Sequence, residues 1–460
     1  MMPASSPSSE SPATEVLGSS ALGQAFHTLS VRSLTLVCRF ALVIMITRTL
    51  SPADYGAYSL VSTVGAFGTF LCGLNLFTYV FRAVPGLPAD SQLRIFKTTL
   101  LFETVLTSAV VVAVLLSGQL GSILHYLNAE AYREVFVLGL LVLVMLVATA
   151  EFTSFFQAQA RIERSNWVDF IGQAVWVLPL LALRLAGVQT PLSILLWAQI
   201  AGGCGVVVYA ARHIGLSAWW RSRPDWKILR TGLAFSVPLI VPTIGVSAVR
   251  LGDRLILSHY NSVAEVGVYS FASVFLNTLY SFTAGVIFGT FGPRIFAAHN
   301  RGDHAKRDML QTYMLKVALL GFVVPYGMLC LAAKPLVELL ARPEYARAAS
   351  VLPIMGLSSV ALIVGYPANY LLMLNNRVGL LATLDVAGII VGLTANFILI
   401  PRYSYFGAAV AGFIGMTTTV VLQYAFSNMF RFLRPDVFFS LKEEMSVFRR
   451  CVSRVRAAFV

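Results

Sequence analysis

The sequence predicts an all-α polytopic membrane protein with about 12 transmembrane helices, arranged as two pseudo-symmetric six-helix bundles around a central cavity. Three observations predict it. The chain of 460 residues is 57% hydrophobic and 12% charged, with mean hydropathy +0.76, whereas a soluble domain is about a quarter charged. Twelve separate apolar segments each approach the ~20 residues that a helix needs to cross a bilayer. Finally, Ser51-Pro-Ala-Asp-Tyr-Gly-Ala-Tyr-Ser59 recurs as Ser262-Val-Ala-Glu-Val-Gly-Val-Tyr-Ser270. Ser, Ala, Gly, Tyr and the final Ser coincide, and Asp pairs with Glu. At the same offset Arg39 falls on Arg250. A repeat this far apart means two halves built on one plan, and in membrane transporters such halves enclose the transport path.

Residues 1–28 are rich in Ser, Pro and Ala and lack the apolar core of a cleavable signal, so they read as a disordered cytosolic tail. The apolar segments follow at about 29–50, 57–80, 97–117, 135–158, 167–187 and 191–211, then 231–257, 265–290, 309–332, 348–373, 379–400 and 405–430. Between the first two, the chain is expected to end a helix at Ser51-Pro52, turn through Asp54 and Gly56, and start again at Tyr58. The segments give an N-terminal bundle over 29–211, a linker over 212–230 and a C-terminal bundle over 231–430. A basic tail follows at 431–460 and is placed in the cytosol.

Loop charges set the orientation. Placing both termini in the cytosol puts Arg82, Arg94, Lys97, Arg161 and Arg164 inside, with Arg212, Arg221, Arg223, Lys227 and Arg230 of the linker. Arg294, Arg301, Lys306, Arg307 and Arg377 follow on the same side. Fewer basic residues fall outside, among them Arg48, Arg133, Arg184 and Lys334. The asymmetry matches the positive-inside rule, and it accounts for the net charge of +13 without nucleic acid, since the basic residues lie between apolar segments rather than on one soluble face.

Charges within the apolar segments are the candidate functional residues, because each costs at least about 2.5–3.5 kcal/mol at mid-bilayer and normally faces a partner or a wet cavity. Arg39 sits in the first segment. Arg250, Asp253 and Arg254 sit in the seventh at spacing i, i+3, i+4, on one helical face. Pro238 and Pro242 free backbone carbonyls in that segment and permit a bend. Asp253 partly neutralises its neighbours, yet an excess of positive charge remains. The planar guanidinium fork suits phosphate oxygens, so an anionic head group is the expected substrate. The bland reading is that the arginines pair with acids for packing or snorkel to the interface. Glu103, Glu151 and Asp385 are acids that could bind a coupling proton or sodium ion, or serve as partners for cations such as Lys316. Asn75 and Asn396 read as glue between helices, and the Gly65/Gly68 and Gly202/Gly203 clusters as sites of close approach. The five cysteines form no CxxC pair and the six histidines are scattered, so no disulfide framework, metal site or cofactor is expected.

Four stretches, Arg48–Ser59, Asp253-Arg-Leu-Ile-Leu257 with Glu265–Ser270, Arg342-Pro-Glu-Tyr-Ala-Arg-Ala-Ala349 and Asn396–Ala409, together resemble the polysaccharide-biosynthesis (O-antigen type) flippases of the multidrug/oligosaccharidyl-lipid/polysaccharide exporter superfamily. The resemblance runs from about 21 to 430. One departure is Arg342, where the family usually has glycine. The resemblance implies a transporter rather than an enzyme. It would carry an undecaprenyl-pyrophosphate-linked oligosaccharide from the inner to the outer leaflet of the bacterial inner membrane by alternating access. Cationic lumenal residues are also implied, matching Arg39, Arg250 and Arg254 by position. A polysaccharide polymerase and chain-length machinery are candidate partners. The alternative is a cation-coupled multidrug or metabolite exporter of the same fold, which would favour acidic cavities. A peptidoglycan-precursor flippase has more helices. No large outer loop carries the paired carboxylates or catalytic histidine of a membrane glycosyltransferase.

The topology is testable by cysteine labelling in a variant stripped of its native thiols. Ser222→Cys should react with a membrane-impermeant maleimide only after permeabilisation, and Ala346→Cys in intact cells. Labelling of Ser222→Cys from outside would overturn the twelve-helix topology.

Overall fold

The computed structural model describes residues 19–188 and 190–429, so the extreme tails, including Cys451, lie outside the described residues. Helices account for nearly all of it, with no strand among the described residues. Inside lipid a backbone must satisfy its own hydrogen bonds, and the α-helix does so within one segment.

The opening unit shows how local chemistry sets the elements. Helix α1 (Ser19–Thr49) stops just before Ser51, and α2 (Pro52–Cys72) starts at once. Ser51 is the N-cap: its Oγ accepts the Asp54 N–H at 3.2 Å, and the Asp54 carboxylate accepts the Ser51 N–H at 3.1 Å. This reciprocal capping box satisfies two donors that a helix start leaves orphaned, and Pro52 occupies the first turn, where no N–H is needed. The expected turn through Asp54 and Gly56 is therefore corrected: both residues are already helical. Ser-x-x-Asp with proline at the first helical position is a start signal, and it outweighs the turn preference of Asp and Gly.

The remaining elements are α3 (Leu76–Ala83), α4 (Ala89–Leu116), α5 (Gln119–Tyr126), α6 (Arg133–Ala158), α7 (Ile162–Phe170), α8 (Val177–Leu185) and α9 (Leu192–Ile214). After them come α10 (Leu216–Arg221), α11 (Trp226–Tyr260), α12 (Val263–Asn300), α13 (His304–Leu331), α14 (Ala333–Leu340), α15 (Ala348–Leu374) and α16 (Val378–Ser427). All twelve apolar segments fall on helix. By length and composition eight helices can cross a membrane, or nine with the bent pair α2–α3, counted among the described residues; the chain is a multi-pass membrane protein.

Three spans are interrupted. α2 and α3 meet at 58° across a break in which Leu74 and Asn75 both adopt positive φ, a strained choice for residues with a Cβ. α7 and α8 are joined by a π turn over Ile171–Val175. α16 is broken at Ser404 (φ 51°, ψ −133°), three residues after Pro401. Beyond the break, a Cβ on Gly407 would overlap the Leu399 carbonyl, so glycine is what lets the chain fold back there.

Two compact units divide the chain: 1–247 with 262–267, and 248–261 with 268–460. In the first, α6 is central. Its span has mean hydropathy 2.6 and is 61% buried, and it packs on α2, α3, α4, α7 and α9. Phe96 of α4 stacks on Phe155 of α6 at 4.2 Å between centroids. Lipid offers apolar side chains no less than a helix does, so fit rather than hydrophobicity holds such helices together. Glycine supplies that fit: a Cβ on Gly68 would lie 2.7 Å from Leu143, and one on Gly203 2.6 Å from Met145. The linker is tied down, since Lys97 donates to the carbonyls of Trp219 and Ser222, each at 2.7 Å. In the second unit α15 packs on α13, α14 and α16.

Within the first unit, residues 51–59 meet residues 262–267, the opening part of the second nonapeptide. A Cβ on Gly56 would overlap the Val263 carbonyl, and a Cβ on Gly267 the Pro52 carbonyl. Gly56 and Gly267 are repeat-equivalent, as are Pro52 and Val263. Such a reciprocal contact is self-complementary in the manner of a two-fold interface.

Gly56→Val and Gly267→Val should therefore each lose more stability than the ~1–3 kcal/mol of ordinary overpacking, because backbone carbonyls cannot yield as side chains do. Gly65→Ala, whose Cβ would lie 3.1 Å from the movable Leu146 side chain, should stay within about 1 kcal/mol. Thermal unfolding of purified protein distinguishes the two classes; equal melting temperatures for Gly56→Val and wild type would refute the crossing.

Candidate functional site

The second unit buries a polar cluster on α11 and α12. Asp253 and Arg254 are each 7% exposed. Arg254 Nε donates to Ser270 Oγ at 3.0 Å, and Nη2 to Ser273 Oγ at 2.8 Å. Asp253 Oδ1 accepts the Arg254 N–H at 2.8 Å, and Oδ2 accepts the Tyr269 hydroxyl. Tyr269, Ser270 and Ser273 recur along α12 at i, i+1 and i+4, which puts the acceptors for Arg254 one turn apart on one face. Next to the cluster, Phe271 meets the fully buried Tyr345 of the Arg342-Pro-Glu-Tyr turn edge-on at 5.3 Å. A buried guanidinium keeps its charge, so the cluster is a fixed cation whose fork is aimed by two serines, with Asp253 as counter-charge.

Arg39, on α1, is exposed. Its charge acts on Tyr58 of α2 and on Asp169 of α7. Asp169 also accepts a hydrogen bond from Thr153 at 2.9 Å and feels Arg32. Asp169 lies two residues before the π turn; such bulges are frequent at functional sites. The side chain of Arg250 lies outside the described residues, though its backbone continues α11.

The acids separate into different settings. Glu103 of α4 and Glu151 of α6 are 1% and 0% exposed and act directly on one another. Asp385 is half-buried on α16 and accepts a hydrogen bond from Gln423 at 2.8 Å. Lys316 is buried on α13. Asn75 sits in the α2–α3 break and accepts from Thr78 at 2.9 Å. The structure thus brings Asp253 to Arg254 and Glu103 to Glu151. Sequence reading passed over Asp169, Thr99, which donates to Glu151, and Tyr269, Ser270 and Ser273. The repeat was the available signal for the last three: Tyr58, Ser59 and Ser62 stand at the matching positions of the first half.

Among curated proteins, none matches this sequence. The fold is shared with solved structures. A multidrug resistance MATE family transporter of the MOP superfamily, in an inward-facing conformation, superposes with a TM-score of 0.71 at 14% identity, covering 89% of this chain and 98% of that one. The lipid II flippase MurJ, in an inward closed conformation, superposes at 0.69 with 12% identity, covering 94% and 93%. A MOP superfamily transporter from Pyrococcus furiosus, described as having a binding pocket of reverse polarity, gives 0.54 at 12%, covering 91% and 95%. At such identities the likeness is one of fold. Sequence itself decides the family: residues 45–350 match the family described as polysaccharide biosynthesis protein, and the chain belongs to that family.

Proposed function

We propose that the protein is a flippase. It would move an undecaprenyl-pyrophosphate-linked oligosaccharide from the inner to the outer leaflet of the bacterial cytoplasmic membrane for surface polysaccharide synthesis, with both termini in the cytosol. The observation that carries this reading is the family match over residues 45–350; the fold shared with a lipid flippase supports it. In this reading twelve spans form two six-helix bundles that alternate access to a cationic lumen, and a polymerase and chain-length machinery take the product.

The pyrophosphate sets the chemistry. It brings roughly two negative charges that must leave water, and charge-assisted hydrogen bonds to guanidinium offset part of that loss. Arg39, Arg250 and Arg254 are the proposed pyrophosphate ligands, with Asp253 tuning Arg254. Arg254 arrives with its fork already held by Ser270 and Ser273, so it loses little freedom on binding. Asp385, Glu103 and Glu151 are the proposed coupling groups. The MATE-like fold favours a second reading, a cation-coupled exporter, in which the arginines would hinder a cationic cargo.

Flipping of a lipid-pyrophosphate oligosaccharide in proteoliposomes, normalised to folded protein, tests the first reading. Arg250→Lys should retain part of the rate, since it keeps charge without the fork, and Arg250→Ala should lose most of it. The same order is expected at Arg39. Arg254→Ala should instead lower the amount of folded protein, because it leaves Asp253 buried without its counter-charge, a loss of about 3–5 kcal/mol. Wild-type flipping by both Arg39→Ala and Arg250→Ala would end the cationic-lumen reading; efflux of a cationic dye by those variants would favour the exporter.

A further inference from the structure

The first unit holds two carboxyl groups that no cation answers among the described residues. Glu103 and Glu151 are 1% and 0% exposed, and the charged group acting on Glu103 is Glu151 itself. Both Glu103 oxygens and Glu151 Oε2 are buried without a hydrogen-bond donor when the two are read as carboxylates. The fourth oxygen, Glu151 Oε1, takes the Thr99 hydroxyl. The charged groups that act on Glu103 and Glu151 are each other, and several on the surrounding helices have partners of their own. Lys97 of α4 is bound to two linker carbonyls, Asp54 of α2 caps its own helix, and Arg82 of α3 lies over the Phe235 ring. His125 of α5 pairs with Glu130, Asp169 of α7 with Thr153, and His213 of α9 with the Tyr209 carbonyl; Arg221 of α10 is exposed.

Two adjacent buried carboxylates without a counter-ion are untenable in a low-dielectric interior, where each unpaired charge is strongly disfavoured. One proton resolves this. Placed on one carboxyl, it becomes the donor that the other lacks, and the pair carries a single negative charge.

A separate observation joins the pair to a movable element. The break between α2 and α3 lies against Glu103: a Cβ on Gly73 would sit 3.5 Å from Glu103 Oε1, and the backbone of Leu76, the first residue of α3, acts on the same carboxyl. Leu74 and Asn75, between them, both hold positive φ. That conformation is costly for Leu74, and a strained residue persists only while its surroundings enforce it.

We propose that Glu103 and Glu151 share one exchangeable proton and that its release loosens the α2–α3 break at Gly73–Asn75. The balance is simple: a carboxylic acid and a carboxylate become two carboxylates and a free proton, with no other bond made or broken. Mutual repulsion then drives Glu103 against the break. This deepens the transport reading above, on which it rests for its purpose, since a proton that moves a spanning helix is a coupling device.

The test needs no substrate, so its outcome is separate from that of the arginine variants. Full-length protein in lipid nanodiscs is titrated by pH-difference infrared spectroscopy, as wild type, Glu103→Gln, Glu151→Gln and the double variant. Wild type should show a carbonyl band of a protonated carboxylic acid that disappears as pH rises and is unmoved by sodium. That band should be lost in the double variant. Hydrogen exchange of the peptide spanning Gly73–Thr78, corrected for the chemical rate, should rise across the same pH interval in wild type and lose that rise in the double variant. Each single glutamine variant repeats the measurement if the double variant fails to fold. A band that survives both substitutions, one that sodium removes in place of base, or exchange at the break that ignores pH in wild type would each overturn the proposal.

Discussion

A charge inside an apolar span must be answered within the protein, and much of this architecture follows from how each is answered. Lys97 is answered by the carbonyls of the linker, so the segment between α9 and α11 is strapped to α4 rather than left as a tether. Arg254 is answered by Asp253 and two serines, which ties α11 to α12 at a point where no apolar packing could fix the register as sharply. Asp169 is answered by Thr153 and by the charge of Arg32 and Arg39. In each case a short polar side chain or a backbone group makes the hydrogen bond, and removing the partner of a buried charge would leave that charge uncompensated. Glu103 and Glu151 are the exception: the Thr99 hydroxyl reaches one Glu151 oxygen, the charged group beside each is the other carboxyl, and they lie beside a break held at positive φ.

The second constraint is steric. The repeated nonapeptides are helix starts, each with serine as N-cap: the Ser262 Oγ accepts the Glu265 N–H at 3.3 Å as Ser51 accepts that of Asp54. Capping fixes where each helix begins, and with it which residue reaches the partner helix start. At that position only glycine fits, since the neighbouring atom is a carbonyl in both directions. Ser, Asp or Glu, and Gly at fixed spacing therefore encode a helix origin and a crossing point together. This explains why these residues coincide between the two copies while Tyr55 and Val266, one position earlier, do not.

Helical class was legible because hydrophobicity at span length is a strong and redundant signal: all twelve apolar segments fall on helix among the described residues. What the sequence obscured is local. Gly56 was expected in a turn because a glycine beside Asp and Pro usually is, and nothing in a linear pattern reveals a carbonyl from two hundred residues away. The break at Gly73–Asn75 falls inside one continuous apolar segment, so hydropathy is silent about it. Arg254 was legible as an intramembrane charge, but of its serine partners Ser270 was hidden in a motif read as a repeat marker and Ser273 lay three residues beyond it. The Glu103–Glu151 pairing depends on the register of α4 against α6, which Phe96 and Phe155 set and no periodicity shows.

The repeat carries one more consequence for the site. Tyr269, Ser270 and Ser273 correspond to Tyr58, Ser59 and Ser62, so both halves offer the same hydroxyl face at the start of a helix. In the second half that face is filled: Arg254 and Asp253 occupy it, and Ser270 and Ser273 are 2% and 5% exposed. The positions matching Asp253 and Arg254 in the first half are Leu42 and Val43, which bring no charge to it. There Ser62 is exposed, Tyr58 bonds to Ser62, and the nearby cation, Arg39, is itself exposed. Duplication supplied two equivalent faces, and a Leu-Val against an Asp-Arg pair made them unequal. One has an internal guanidinium fixed by serines; the other has the same hydroxyls beside an arginine that remains accessible. The Arg254 fork donates to Ser270 and Ser273, whereas Arg39 acts through space on Tyr58 and Asp169. The asymmetry makes Arg39 the more accessible of the two guanidinium groups, and Arg254 the one that joins α11 to α12.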